Sequence, residues 1–459
     1  MDNVTNHIHS SRDRYIEELK EFLAIPSVSA LPEHLDDVRQ CAQWTADELT
    51  RVGLQNVRLI ETPGNPVVYA DWLHAAGEDV PTILFYGHYD VQPVDPLDEW
   101  LTPPFEATVR EGEIYARGAA DDKGQIFMHF KAVEAYLTDG GNLPVNIKFV
   151  IEGEEEVGSK HLDGFVRDHS DELRADVVVI SDSPMFDRGV PSICYGLRGL
   201  AYLQVDLRGT KTDLHSGSFG GAVANPAFVL AQILSRMKDS GGRVKIPGFY
   251  DDVRVLRDEE RQEFARLPFR ERQYREDLGA PKLCGERGYT TLERIWARPT
   301  FEVNGLLSGF TGTGAKTVIP AVAMAKVSMR LVPDQDPLKI AEQFEAYIQK
   351  VSPNSVELRV TQMHMGKPWM TDFDNPFVQA AGRAIKSGFG RSPVFNREGG
   401  SIPVVATFQE ILGLPSVLFG IGLPDENAHA PNEKLDLTNF HNGVIASAAL
   451  YREIGNLRL

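Results

Sequence analysis

The sequence predicts an α/β protein with a mostly parallel sheet covered by helices and an inserted α+β domain. Three observations carry this. Short apolar runs rich in β-branched and aromatic residues alternate with helical stretches up to about Tyr195. Beyond that point the strands switch to polar/apolar alternation, as in a sheet with one covered face. Near Asp372 the first texture returns.

Residues 9–24 set Tyr15, Leu19, Phe22 and Leu23 at helical spacing and stop before Pro26. Residues 36–53 form a second helix ended by Gly53. PVVYADW (66–72) and TILFYG (82–87) read as strands. A helix follows over 123–137, closed by Gly140 and Gly141, then a strand over 146–153, a helix over 161–169 and a strand over 175–182. In the second texture LAYLQVDLRG alternates, 225–237 is helical, and the charged stretch 251–277 reads as an all-helical excursion with a solvated outer face. VAMAKVSMRLVP (322–333) alternates again, 337–351 is helical and 355–363 is a strand. A helix over 377–387, a buried strand over 415–422 and a helix over 439–454 end the chain. The expected organisation is one discontinuous α/β domain, 1–196 and 374–459, interrupted by an inserted domain, 197–373.

With 459 residues and 42% hydrophobic content the chain can bury a core without disulfide staples. A net charge of -18 argues against nucleic acid or an anionic membrane as partner. Three cysteines, with no CxxC pair, fit a reducing cytoplasm. No basic segment leads into an apolar one at the start, and no apolar run reaches the roughly 18–20 residues of a membrane span. A cytoplasmic protein is expected.

Side chains that bind metals follow the apolar strands repeatedly: His88 and Asp90, then Glu155 and Glu156, then Asp182, then His429. Each is ordinary alone, as a cap or a solvated turn. Ligands of a parallel sheet collect beyond the carboxyl ends of its strands, so together they predict a metal site. Asp121 precedes a helix, where it could equally be a cap, and joins the set only as a hypothesis. Histidines with carboxylates suit zinc, manganese or cobalt better than calcium. The set exceeds what one tetrahedral zinc needs, whereas two metals roughly 3.5–4 Å apart with a bridging carboxylate would use it all. GFTGTGAKT (309–317) imitates a phosphate loop, but Ala315 separates the last glycine from the lysine.

GHYDVQPVDP, YARGAADDKGQ, EGEEEVGS, SDSP, LHSGSFGG, TGAKTVIP, REGGSIPV and AHAPNEK resemble, in order and spacing, the carnosinase-like dipeptidases of the two-metal metallopeptidase family. Glutamate carboxypeptidase, aminoacylase and succinyl-diaminopimelate desuccinylase are more distant members. The long insert and KPWMTDFDNP look most like the cytosolic nonspecific dipeptidase branch. The resemblance implies that His88 and Asp182 bind one metal, that Glu156 and His429 bind the other, and that Asp121 bridges them. It implies a cis Asp121–Asp122 peptide, Glu155 as general base, and Asp90 as acceptor of a hydrogen bond from the His88 ring. His215 would stabilise the oxyanion, often across a dimer. Arg330 would clamp the substrate's terminal carboxylate, with Asn225, His364 and Ser401 as further substrate contacts. The expected cofactors are two divalent ions, zinc first, with manganese or cobalt as alternatives. The expected substrate is a small peptide with a free C-terminal carboxylate, and the expected assembly is a homodimer through the insert. The alternative is an N-acyl amino-acid amidohydrolase using the same metals.

Overall fold

A computed structural model describes residues 2–77, 79–400 and 402–458. The chain divides into two compact units. The first comprises residues up to Tyr195, Thr371–Asn396 and the part from Val404 onward; the second comprises Gly196–Met370 and Arg397–Pro403. The short segment after Asn396 therefore groups with the second unit, whereas the sequence reading kept it with the first. A buried ion pair between Arg397 and Glu260, and a hydrogen bond from the Arg198 N–H to the Gly400 carbonyl (3.1 Å), hold it there.

In the first unit four strands run parallel in the order Asn146–Glu152, Thr82–His88, Val177–Ile180 and Ser416–Leu418. Their residues are almost all buried, which is why their sequences are apolar without alternation. Flanking strands are antiparallel: Gln55–Ile60 and Val67–Trp72 on one side, Ser192–Leu197 on the other. Helix Lys123–Ala135 is buried along its whole length. It packs against helix Leu437–Gly455, where the Tyr451 hydroxyl donates to the His129 carbonyl at 3.0 Å. Two charged residues of this helix, Lys131 and Glu134, are neutralised in a network with Glu18, Glu48, Arg14 and Arg51. Three carboxylates meet there, but three cations already answer them, so nothing in that cluster calls for a metal.

The polar first residues form a helix, Asp2–Ser10, that the sequence reading left unassigned; Val4 and Ile8 bury its inner stripe. The second unit is a four-stranded antiparallel sheet, ordered Glu302–Ser308, Val322–Leu331, Gly199–Arg208 and Glu357–Gly366. Ala201, Leu203, Val205, Leu207 and the odd-numbered residues from Ala323 to Leu331 pack under helices Pro226–Ser235 and Pro337–Val351. The charged stretch yields helices Asp258–Arg266 and Glu271–Asp277. Residues 309–317 lead into a short strand, Val318–Ile319, rather than a helix, so the phosphate-loop likeness has no structural counterpart.

Candidate metal centre

The parallel strands deliver the site. His88 is the last residue of Thr82–His88, Asp182 lies two residues beyond Val177–Ile180, and Glu155 and Glu156 open the helical turn after Asn146–Glu152. His429 sits in the loop after Ser416–Leu418, at a φ of 63°. Asp121 ends the loop before the buried helix, and its peptide bond to Asp122 is cis. Gly87 makes room for this approach, because a Cβ there would lie 2.7 Å from Asp122 Oδ2. The same oxygen accepts the His88 N–H at 3.3 Å.

Asp121 stands between the two histidines. Its Oδ1 is 3.1 Å from His88 Nε2 and its Oδ2 is 2.8 Å from His429 Nε2. Asp182 Oδ2 lies 3.9 Å from His88 Nε2, and Glu156 Oε2 lies 3.2 Å from His429 Nε2. The chain thus gathers two three-residue groups, His88–Asp121–Asp182 and Asp121–Glu156–His429, each with one ligand atom per residue within 4.8 Å of the others. His88 Nε2 and Glu156 Oε1 are buried without any hydrogen-bond partner. Buried polar atoms left in that state, within a nitrogen and carboxylate donor set, fit two divalent cations that share Asp121.

The electrostatics point the same way. Burial pushes the Asp182 carboxyl up to about 7, and the charge of Asp121 adds to it. Burial likewise pushes Glu155 up to about 8, helped by Asp182 and Glu156. Hydrogen bonds to Asp121 and Glu156 push His429 up to about 10. Burial alone would raise Asp121 and lower His88, but close contacts of opposite charge, with His429 and His88 for Asp121 and with Asp121 and Asp90 for His88, outweigh it in both. The carboxylates beside them thus favour the charged form of both imidazoles.

Asp90 does more than orient a ring. The His88 Nδ1 faces the Asp90 main-chain carbonyl at 3.0 Å, with the carboxylate further off at 3.4 Å. The carboxylate accepts the N–H groups of Glu155 (3.3 Å) and Glu156 (3.2 Å) and the Ser29 hydroxyl (2.6 Å). It therefore fixes the turn that presents both glutamates. The sequence reading missed two further supports. Gln92, inside the quoted GHYDVQP motif, donates to Glu156 Oε2 at 2.7 Å. Glu433, inside AHAPNEK, accepts the N–H groups of Gly118 (3.0 Å), Ala120 (2.9 Å) and Asp121 (3.1 Å) and pairs with the buried Arg117 at 2.7 Å.

The chain matches the pattern of "Peptidase family M20/M25/M40" over residues 84–453. It belongs to this family. Beta-Ala-His dipeptidase of Homo sapiens is 34% identical, over 100% of this chain and 93% of that one. Cys-Gly metallodipeptidase DUG1 of Candida albicans is 36% identical, over 95% of this chain and 93% of that one. Among solved structures, the M20 family metallo-carboxypeptidase Sso-CP2 from Sulfolobus solfataricus aligns with a TM-score of 0.83 at 34% identity, covering 96% and 99% of the two chains. As an M20 peptidase the chain is a metal-dependent hydrolase of peptide bonds, in the carnosinase-like dipeptidase branch that its motifs resemble.

The remaining expected residues lie in the second unit of this M20 chain. His215 is exposed, and its Nδ1 accepts the Gly217 N–H at 3.1 Å. Leu214 and His215 pair with Ile319 and Val318, which is why LHSGSFGG and TGAKTVIP lie together. Asn225 uses its side-chain oxygen to cap helix Pro226–Ser235, accepting the Ala227 N–H at 3.0 Å. Arg330 pairs with Leu200 across the sheet, and His364 pairs with Tyr202, so both arise on the face away from the helices. Ser401 lies outside the described residues. Among the described residues no helix is long and apolar enough to cross a membrane, and Cys41 and Cys284 are free thiols.

Proposed function

We propose that this M20 peptidase is a two-metal dipeptidase acting on peptides with a free C-terminal carboxylate. The observation that carries this is the placement of Asp121, one oxygen toward His88 and the other toward His429, beside the glutamate pair that Asp90 fixes. His88 and Asp182 would hold one ion, Glu156 and His429 the other, and Asp121 both. Zinc suits this donor set best, with manganese or cobalt as substitutes. When bound, the ions supply Lewis-acid polarisation of the scissile carbonyl and acidify the attacking water.

The chain's own residues handle the proton and the substrate. Glu155 takes the proton from the attacking water and returns it to the leaving amine. Asp90 holds Glu155 in place through its main-chain N–H. His215 donates to the developing oxyanion. Arg330 binds the C-terminal carboxylate, with Asn225, His364 and Ser401 as lesser contacts. Beta-Ala-His and Cys-Gly dipeptides, after which the two relatives are named, are the first substrates to try. A cytoplasmic homodimer through the second unit accords with the family resemblance.

The test is a panel of L,L-dipeptides, their C-terminal amides, a tripeptide and N-acyl amino acids, each with chelator, zinc or manganese. Metal-dependent cleavage of free dipeptides, lost on amidation, is expected. Cleavage of the N-acyl compounds alone would move the function to deacylation, and no cleavage by metal-loaded protein would overturn the reading.

A further inference from the structure

The face of the second-unit sheet that carries Arg330 holds another arginine with no assigned role. Arg198 immediately precedes strand Gly199–Arg208, and Leu200, two residues on, is the cross-strand partner of Arg330. Residues directly opposite share a face, and a residue two positions along is a diagonal neighbour. The two guanidinium groups thus arise on one side of the sheet. Both residues are half-buried. Neither has a carboxylate partner among the described residues. Among the described residues the Arg198 side chain makes one hydrogen bond, from Nε to the Gly399 carbonyl at 3.3 Å. A Cβ on Gly399 would lie 2.9 Å from Arg198 Nη2, so the glycine leaves space for the guanidinium. Burial pulls the Arg198 pKa down to about 10, and the like charge of Arg330 lowers it further. Among the described residues Glu302 is the carboxylate whose charge favours Arg198, and it is paired with Lys238 at 2.9 Å. Lys326 and His364 add donors to the same face.

Two like charges, half-buried and unpaired, are unfavourable unless an anion completes them. A single α-carboxylate brings one negative charge, so it leaves the pair of guanidinium groups with a net positive charge that a second carboxylate would balance. We propose that Arg198 and Arg330 form a two-cation site for a dicarboxylate end, so that the enzyme prefers dipeptides whose C-terminal residue is aspartate or glutamate. The inference rests on the dipeptidase reading and adds a substrate class to it. Arg198 takes the side-chain carboxylate while Arg330 holds the terminal one. Guanidinium planes match carboxylates better than an ammonium does, so lysine is a partial substitute at best.

The test compares kcat/KM for Ala-Glu, Ala-Asp, Ala-Gln and Ala-Ala, with the metal-loaded wild type, Arg198→Met and Arg198→Lys. The wild type is expected to favour the acidic dipeptides by about tenfold or more, as charge-assisted hydrogen bonds require. Arg198→Met should bring that ratio near one by raising KM for the acidic pair, and Arg198→Lys should keep part of it. Added salt should shrink the wild-type preference. If Arg198 only props the Gly399 turn, Arg198→Met lowers all four substrates together and the ratio stays, which overturns the proposal. A wild-type ratio near one, with all four dipeptides cleaved, also overturns it and leaves the dipeptidase reading standing. Failure to cleave any dipeptide overturns both.

Discussion

The Glu433 carboxylate accepts the main-chain N–H of Asp121 at 3.1 Å, across 312 positions of sequence. With Gly118, Ala120 and Arg117 as its other donors, it holds the loop from which Asp121 reaches both histidines. Glu433→Gln keeps the shape and removes the charge. It leaves Arg117 buried and uncompensated, so the unfolding midpoint in denaturant should fall, with a cost of about 3–5 kcal/mol. Metal affinity, measured by titration calorimetry on the folded variant, should fall by about 10–100-fold. Loss of stability with unchanged metal affinity would make Glu433 a fold element only.

Removing the base should separate chemistry from metal binding. Glu155→Gln is expected to lower kcat by about 10²–10⁴-fold and to leave the bound metal unchanged. His429→Ala should instead lower the metal content per chain, because it takes a nitrogen from one of the two donor groups. Metal content measured by emission spectroscopy beside kcat distinguishes the two variants. Equal metal loss in both would remove Glu155 from the role of base.

Arg330→Lys should raise KM for free dipeptides by roughly tenfold with a smaller change in kcat, since a lysine cannot make the bidentate contact. C-terminal amides should be insensitive to the same change. Steady-state kinetics on matched acid and amide substrates reads both.

Two buried histidines away from the metal centre set an acid limit on stability. Burial lowers His129 to about 3; it also lowers His441 to about 4, with the charge of Arg12 and the His9 ring adding to the effect. The unfolded chain, with ordinary imidazoles, binds protons first as the pH falls below about 6.5. The contribution of these two residues to stability is therefore level above neutrality and declines as the pH drops from there toward 4 and 3. The slope is at most roughly 1.4 kcal/mol per pH unit for each residue. His129→Gln should flatten part of that slope in urea melts run across this range. An unchanged slope would mean that other groups set the acid limit.

Much of the centre was readable because three of the four parallel strands are short, apolar and end on, or are followed within four residues by, a side chain that can bind a metal. His88, Glu155, Glu156 and Asp182 need only the strand ends to be aligned, which the parallel register does. Asp121 was different. A carboxylate before a helix is usually a cap, and its place between the two histidines depends on Glu433 far along the chain. Gln92 was visible in the motif, but its contact with Glu156 depends on how two loops fold back on each other. The Asp90 carboxylate was assigned to the His88 ring, yet its closest partners are the Ser29 hydroxyl and the main chain of the glutamate turn. Hydrogen bonds to main-chain groups leave no pattern in side-chain identity. The helix Asp2–Ser10 was hidden because its inner stripe is only Val4 and Ile8.

The discontinuity of the first unit sets an order of events during synthesis. Helix Leu437–Gly455 packs on the fully buried helix Lys123–Ala135, and Glu433 and His429 arrive just before it. A nascent chain on the ribosome can complete the sheet and helices of the second unit while the first still lacks a cover, a loop clamp and a ligand. Until the chain has been made past His429 and Glu433, the second donor group lacks its histidine and the Asp121 loop lacks its clamp.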